Sequence, residues 1–378
     1  MKKTETIKIL TALLALTFIF TSITSCGKKH VNDGVVSSEE DLQVIGTIGD
    51  YEICYDELRY VVLSCRDILE NKHGKDIWDD EETAAKYEKE LQAMVMERIT
   101  ANYAIFSLCE EYGFKNPLSK KDTVIYVDSQ IDELIYVLAV GHGIKVNISE
   151  NSDGTLDYKY TKNDLNTLYK YLRQDLASVH LTERVARITL GAEYAFEVLI
   201  SILTVGKGEV IFLDDDIEEF MFSDEFICTR HIFIQNDAGD NYEENKKLAE
   251  KLLDDYKNGT SMVELIGSKY NEDFSVPYEG TYFTRNEMEK AYEEAAFALE
   301  VGEVSDVVEG ENGFYIIERC EKSKTYMLVN LEKYADQITY AMVNKIVRDR
   351  QSELSLTLND FGSSLVFHKI PAIDAEKN

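Results

Sequence analysis

The sequence predicts an α+β protein: a mostly helical region, then a compact mixed unit, then a final helix. Three observations predict it. Apolar residues recur at helical spacing from about Asp56 to Leu203. After Asp214-Asp215-Asp216 the pattern becomes strand-like and helical segments alternate, in the order β-α-α-β-α-β-β between Phe226 and Glu321. A last helical stretch runs from about Val329 to Asn359, ahead of a polar tail.

The elements follow in order. Val44 to Ile53 alternates around Gly46 and Gly49-Asp50, which predicts a short hairpin. Asp56 starts a helix whose apolar face is Leu58, Val62, Cys65 and Leu69. One helix is predicted from about Glu82 to Tyr112, ended by Gly113 and Pro117, and another from about Ser119 to Ala139. Asn151 to Tyr160 reads as a turn-rich insertion. Thr161 to Asp164 resembles a capping box with Asp in place of Glu, and opens a long helix through Leu168, Leu172 and Leu176 to about Leu203. Gly206 and Gly208 break it. Next come a short helix (Ile217 to Phe222), a strand (Phe226 to Ile234), and helices over Tyr242 to Tyr256 and Met262 to Tyr270. A brief strand ending at Phe283 precedes a helix from Glu287 to Ala298, and strands over Val304 to Val308 and Phe314 to Arg319 close the unit. Period-2 alternation puts Thr229, His231 and Phe233 on one face of the first strand and Ile232 and Ile234 on the other.

Composition excludes several classes. Hydrophobic residues make up 44% of the chain, enough for packed cores rather than disorder. The net charge is −30, and residues 1–25 carry three lysines and one glutamate, leaving the remainder near −32. Nucleic acid and anionic lipid both need basic surface, so neither is a partner. The six cysteines and six histidines show no metal-ligand spacing, and no cofactor motif is present.

The N-terminus has a targeting pattern. Lys2-Lys3, an apolar run from Ile9 to Phe20, and Ile23-Thr24-Ser25-Cys26 resemble a bacterial lipoprotein signal. The run is shorter than the roughly 20 residues of a spanning helix. An ordinary secretory signal and a retained anchor are the alternatives. The expected layout is a signal at 1–25, a lipidated tether at 26–43, a helical domain at 44–222, the mixed unit at 223–323, and a C-terminal helix with polar tail at 324–378. The expected location is extracytoplasmic, held to a bacterial membrane by lipid on Cys26. Five cysteines then remain, an odd number at wide spacing, which does not resemble a disulfide framework.

The mixed unit resembles a parvulin, a peptidyl-prolyl cis/trans isomerase. The resemblance rests on Arg230-His231-Ile232, Ala249 to Leu253 through Asn258-Gly259, and Ser268 to Asp273. It continues through Phe283, Met288, Tyr292 to Leu299, Val301 to Ser305, and Asn312 to Ile317. No piece is specific alone; the ordered series is. With the hairpin and helical region, the chain is similar to PrsA-like and SurA-like foldase lipoproteins. The resemblance implies a helical chaperone lobe, formed by the N-terminal segment and the C-terminal helix, with an inserted parvulin domain around a four-stranded antiparallel sheet. The final helix is expected to pack on the N-terminal lobe through Leu331, Ile338, Met342 and Ile346.

The resemblance also implies the site. His231 matches the first family histidine, Tyr315 replaces the second, and Asp273 lies near the family's catalytic Cys or Asp. Phe283, Met288, Tyr292 and Phe297 match apolar positions of the proline pocket, with Met288 and Tyr292 expected on one helical face. Taken without the family, His231 is equally a structural strand histidine and the apolar stripe is ordinary core. The family Gly-Gly-Asp-Leu-Gly turn is replaced by Tyr278-Glu279-Gly280-Thr281, after a shortened loop. Pairing His231 with Tyr315 across antiparallel strands sets Cys228 opposite Glu318, with Cys320 diagonal and both cysteines as thiols. No basic cluster follows His231, so the clients are unmodified, proline-containing, unfolded exported polypeptides. Two functions stay open: a foldase that catalyses X–Pro isomerisation, and a weak or inactive parvulin fold that only binds polypeptide.

Overall fold

A computed structural model describes residues 38–150, 156–204, 214–236, 241–277 and 279–374. The signal segment, Cys26, most of the tether, the Gly206/Gly208 break, the 151–155 turn, Asp237 to Asp240 and Tyr278 lie outside the described residues. Backbone contacts divide the chain into two units: residues up to 202 together with 346 onward, and residues 203–345.

The first unit opens on strands β1 (Val44–Ile48) and β2 (Tyr51–Cys54), an antiparallel hairpin turned at Gly49. Helix α1 (Tyr55–His73) buries Leu58, Val62, Cys65 and Leu69, the stripe read from spacing. The helix predicted over 82–112 is two, α2 (Glu81–Arg98) and α3 (Ala101–Glu111). Between them the Thr100 hydroxyl donates to the Glu97 carbonyl at 2.8 Å, a local bond that competes with the helical ladder. Helix α4 (Lys121–His142) follows. The turn-rich insertion contains a two-stranded hairpin, β3 (Asn147–Glu150) with β4 (Leu156–Lys159).

The long helix to Leu203 is also two, α5 (Lys162–Ser178) and α6 (Glu183–Thr204). His180 at φ 66° breaks the chain direction. A buried polar cluster holds the break in place. The Thr182 hydroxyl donates to Asp56 at 2.9 Å, and Arg184 bonds both Asp56 and Glu57. Tyr103 donates to Glu57. Ile131, Ile135 and Leu138 of α4 pack on Leu168, Leu172 and Leu176 of α5 and on Val185 of α6. Each such burial contributes roughly 2 kcal/mol.

The second unit begins with α7 (Asp214–Phe222) and β5 (Phe226–Gln235). It continues with α8 (Tyr242–Lys257), α9 (Met262–Ile266), β6 (Thr281–Thr284) and α10 (Lys290–Ala298). β7 (Val308–Glu309), β8 (Gly313–Cys320), α11 (Lys324–Val329) and α12 (Leu331–Glu353) complete it, the last turns of α12 belonging to the first unit. The four strands form one antiparallel sheet in the order β6-β5-β8-β7. Ile232, Ile234, Phe314 and Ile316 face α8 and α9. On the opposite side Ile227 and Ile317 pack with Phe283, Tyr292 and Ala296.

Three expectations are corrected here. First, His231 pairs with Ile317 and Tyr315 with Phe233, so Cys228 stands directly opposite Cys320. Both cysteines are free thiols. The strand is offset by two residues, which preserves every side chain's face. Phe233 stacks on Tyr315 at 4.6 Å, and Arg230 forms a two-bond pair with Glu318 at 2.6 and 3.0 Å. These cross-strand pairs exist only in the observed register. Second, of the Val304 to Val308 segment only Val308 lies in a strand, β7, which runs on to Glu309; Val304 makes an isolated bridge to Glu318. Third, Leu331, Tyr334, Ile338, Ala341 and Met342 pack with Phe220, Phe226, Tyr282 and Met327 inside the second unit, whereas Ile346, in the last turns of the helix, belongs to the first unit as expected.

The chain then returns to the first unit. β9 (Leu356–Leu358), which the helical reading through Asn359 missed, adds to β1, and α13 (Asp360–Ser364) follows. Glu88 accepts from the backbone N–H of Phe367 and His368 and contacts His368 Nδ1 at 2.6 Å. The chain's single tryptophan, Trp78, stacks on the His368 ring.

Within α6, burial pushes Glu193 up to about 7, and its Oε2 has no hydrogen-bond partner among the described residues. A carboxyl whose folded pKa is raised gives stability in full below its unfolded value, and loses it as the pH rises through 7. Glu193→Gln is therefore expected to stabilise the chain by roughly 1–3 kcal/mol at pH 8 and to change little near pH 4.5, read from urea melts at both pH values.

Candidate functional site

The candidate site lies on the β5/β8 face of the second unit. His231 is 5% exposed, and both its ring nitrogens are engaged. Nε2 lies 3.1 Å from Asp273 Oδ2, and Nδ1 lies 3.0 Å from the Tyr292 hydroxyl. Tyr292 in turn lies 2.8 Å from Thr229 Oγ1. Thr229 and His231 share a strand face because they are two residues apart, and α10 brings Tyr292 over both.

The protonation states set the direction of this chain. Burial lowers the His231 pKa more than Asp273 restores it, so the imidazole is neutral at neutral pH. Burial opposes ionisation of Asp273, but hydrogen bonds from Ser275 and the His231 interaction outweigh it and hold the carboxyl below its usual range. An ionised carboxylate only accepts, so His231 Nε2–H donates to Asp273. Nδ1 then accepts from Tyr292, and Tyr292 accepts from Thr229. Burial holds the Tyr292 phenol far above its ordinary pKa, so it keeps its proton.

Asp273 is fixed by its own loop. Its Oδ1 accepts from the Ser275 N–H at 2.8 Å and the Ser275 hydroxyl at 2.6 Å. Asn271, fully buried, accepts from the Phe233 N–H at 2.9 Å and donates to the carbonyls of Ile266 and Asp273 at 3.1 and 2.7 Å. Gly280 ends the loop at φ 87°. A Cβ there would stand 2.6 Å from Cys228 Sγ and 2.9 Å from the Thr229 carbonyl, so this one glycine permits the close approach of the loop to β5.

Tyr315 meets His231 and Tyr292 edge-on, at 5.5 and 5.1 Å, and lies flat on Phe233. Burial, with the charges of Glu289 and Asp273, pushes its phenol up to about 12, so it remains a proton donor. Met288 precedes α10 rather than lying on it, which corrects the shared helical face. It still packs with Tyr292, Phe283 and Tyr315 in one cluster.

The structure thus gathers His231, Asp273, Tyr315, Tyr292 and Met288. Phe283 and Tyr292 are buried beneath the surface; Met288 and Tyr315 are half-exposed above them. Phe297 meets Phe283 edge-on, carries the Arg285 guanidinium 4.0 Å above its ring, and packs against the same apolar cluster. Sequence reasoning gave no role to Thr229, Asn271, Ser275 or Glu289. Asn271 stood inside the quoted motif, and its position two residues before Asp273 was the available signal. Among the described residues no group of side chains could hold a metal ion.

Residues 221–323 match the family described as the PPIC-type PPIase domain. The chain is 40% identical over 70 residues to a peptidyl-prolyl cis-trans isomerase Pin1 of Malus domestica, covering 18% of this chain and 58% of that protein. It is 32% identical over 100 residues to the foldase protein PrsA of Halalkalibacterium halodurans, covering 26% of this chain and 30% of that one. The chain spans about half the length, or less, of these curated relatives. Among solved structures, PrsA from Streptococcus pneumoniae aligns over 77% of this chain and 88% of its own, at 17% identity and a TM-score of 0.29. The fold and the match define a PPIC-type parvulin domain. Over part of the chain it is similar to a PrsA foldase.

Two outcomes are expected. Asn271→Ala leaves the buried Phe233 N–H unpaired and should cost about 2–3 kcal/mol in denaturant unfolding. The depressed His231 pKa gives stability present in full above about pH 6.5 and lost as the pH falls through the folded value. Unfolding midpoints should therefore drop between pH 7 and pH 5, and less so in His231→Gln.

Proposed function

We propose that this chain is an extracytoplasmic, lipid-anchored foldase whose parvulin domain accelerates cis/trans isomerisation of X–Pro bonds in unfolded exported proteins. The observation that carries the reading is the caged Asp273–His231 pair, roofed by Tyr315 and Met288, inside the segment that matches the isomerase family.

Rotation of an X–Pro bond faces a barrier of about 18–20 kcal/mol and needs no covalent chemistry. Removing water from the bond and favouring its twisted form are enough. Met288 and the edge of Tyr315 offer the ring an apolar seat. Resonance places partial negative charge on the carbonyl oxygen of the planar bond, and the Asp273 carboxylate disfavours that form. His231, with both nitrogens engaged, is a positioning residue for Asp273. Phe274, beside Asp273, is 85% exposed and gives an unfolded client an apolar lip. In the helical unit a cavity of about 220 Å³, lined by Tyr60, Val61, Ile99 and Ile188 with Arg98 and Glu57, supports a second client contact. Membrane attachment rests on the Cys26 pattern.

A second reading, a binding-only chaperone, is favoured by one feature: Tyr315 stands where the family has its second histidine. Prolyl isomerisation assays separate the two. The wild-type rate should exceed the spontaneous one, and Met288→Ala should lower the enzymatic part about tenfold or more, near 1.4 kcal/mol of barrier. A folded sample with no rate above the spontaneous one would leave the binding-only reading.

A further inference from the structure

We infer that the parvulin cup selects prolines flanked by a cationic side chain, with Glu289 as the specificity-determining residue. The inference rests on the proposed proline site and names the chemistry of the sequence bound there. Glu289 directly follows Met288, so the residue that seats the ring and the residue that sets the charge are chain neighbours. Its carboxylate lies beside Tyr315 at Gly310: a Cβ on Gly310 would clash with Glu289 Oε1 and approach the Tyr315 ring edge to 2.7 Å. The Tyr315 hydroxyl and the Glu311 backbone N–H donate to the Glu289 carboxylate, while its Oε1 is buried with no hydrogen-bond partner of its own among the described residues.

The charges facing the cup are of one sign. Asp273 stands on the His231 side, and Glu289 and Glu311 stand on the Tyr315 side; these three carboxylates all act on the Tyr315 hydroxyl. Nearby cations are engaged. Arg230 is held by Glu318 in two hydrogen bonds, and Arg285 lies over Phe297 with Glu225 at 3.7 Å. His231 is neutral at neutral pH, so it does not offset Asp273. Burial raises the pKa of Glu289 against the backbone hydrogen bond from Glu311, the Glu311 charge adds to the rise, and an incoming cation would draw it back down. A lysine or arginine beside the proline therefore gains attraction and supplies a donor, whereas a glutamate or phosphate meets repulsion. The net charge of −30 adds long-range steering of the same sign.

The test uses the full chain and proline tetrapeptides that differ only in Lys, Ala or Glu on either side of the proline. Isomerisation kcat/KM and binding by fluorescence anisotropy are measured together. Lys is expected to exceed Glu by roughly tenfold at low ionic strength, with the ratio falling at 0.5 M salt. Glu289→Gln should narrow that ratio about threefold, and the exposed Glu311→Gln should narrow it less. A ratio near one, a preference for Glu, or a Lys preference unchanged in both variants would overturn the inference. Catalysis with no charge order sinks this inference and leaves the isomerase reading intact. Proline-dependent binding in the order Lys, Ala, Glu without catalysis does the reverse. Neither binding nor catalysis overturns both.

Discussion

The parvulin unit depends on one line of hydrogen bonds, from Thr229 through Tyr292 and His231 to Asp273. Each member is tied to a different part of the fold. Thr229 and His231 come from the central strand, Tyr292 from the helix that covers it, and Asp273 from the loop on the other side. An ionised carboxylate at one end fixes which nitrogen of the imidazole carries its proton, and so fixes every bond up to the threonine. Burial makes the arrangement exacting, because a buried polar group without its partner costs more than a made bond gains. The same line that closes the domain core therefore places a carboxylate at its surface.

The sheet around this line is held by pairs that a reading of one strand at a time does not expose. The face of each residue on β5 was legible because alternation depends on a single strand. The pairing of β5 with β8 was not, because register is decided by partners such as Phe233 with Tyr315 and Arg230 with Glu318. A register wrong by two leaves every face right, and so the cage residues still came together. The helical unit shows the same division. Stripes such as Leu168, Leu172 and Leu176 were plain, whereas the breaks at Thr100 and His180 were not. Those breaks are set by the Thr100–Glu97 bond and by Asp56 holding Thr182 and Arg184, and the second set spans more than a hundred residues of sequence. Strand β9 was missed because three residues carry too little pattern against a preceding 23-residue helix.

The site was legible as a set of residues and not as a geometry. Matching positions named His231, Asp273, Tyr315, Met288 and Tyr292, but gave Tyr292 the role of a pocket wall. In the structure its ring is buried and its hydroxyl is the link between strand and imidazole. Asn271 is the converse case. An asparagine in a loop has many ordinary uses, and only the fold reveals that its two ends bond β5, α9 and the Asp273 backbone at once.

Tyr315 sets the chemistry on the β8 side of the cage. A phenol held near pKa 12 keeps its proton at neutral pH, so its oxygen donates one hydrogen bond and can still accept another. Its ring takes up the stacking on Phe233 and the edge contacts to His231 and Tyr292, so the cage stays filled. The carboxylate of Glu289 beside it accepts from the Tyr315 hydroxyl. Under the proposed function bond rotation requires no proton transfer, so a phenol serves at this position as long as the cage keeps its shape and the bound bond loses its water. Under the proposed function, the neutral phenol leaves the charge that an entering polypeptide meets to Asp273, Glu289 and Glu311, which is a property of specificity before it is one of rate.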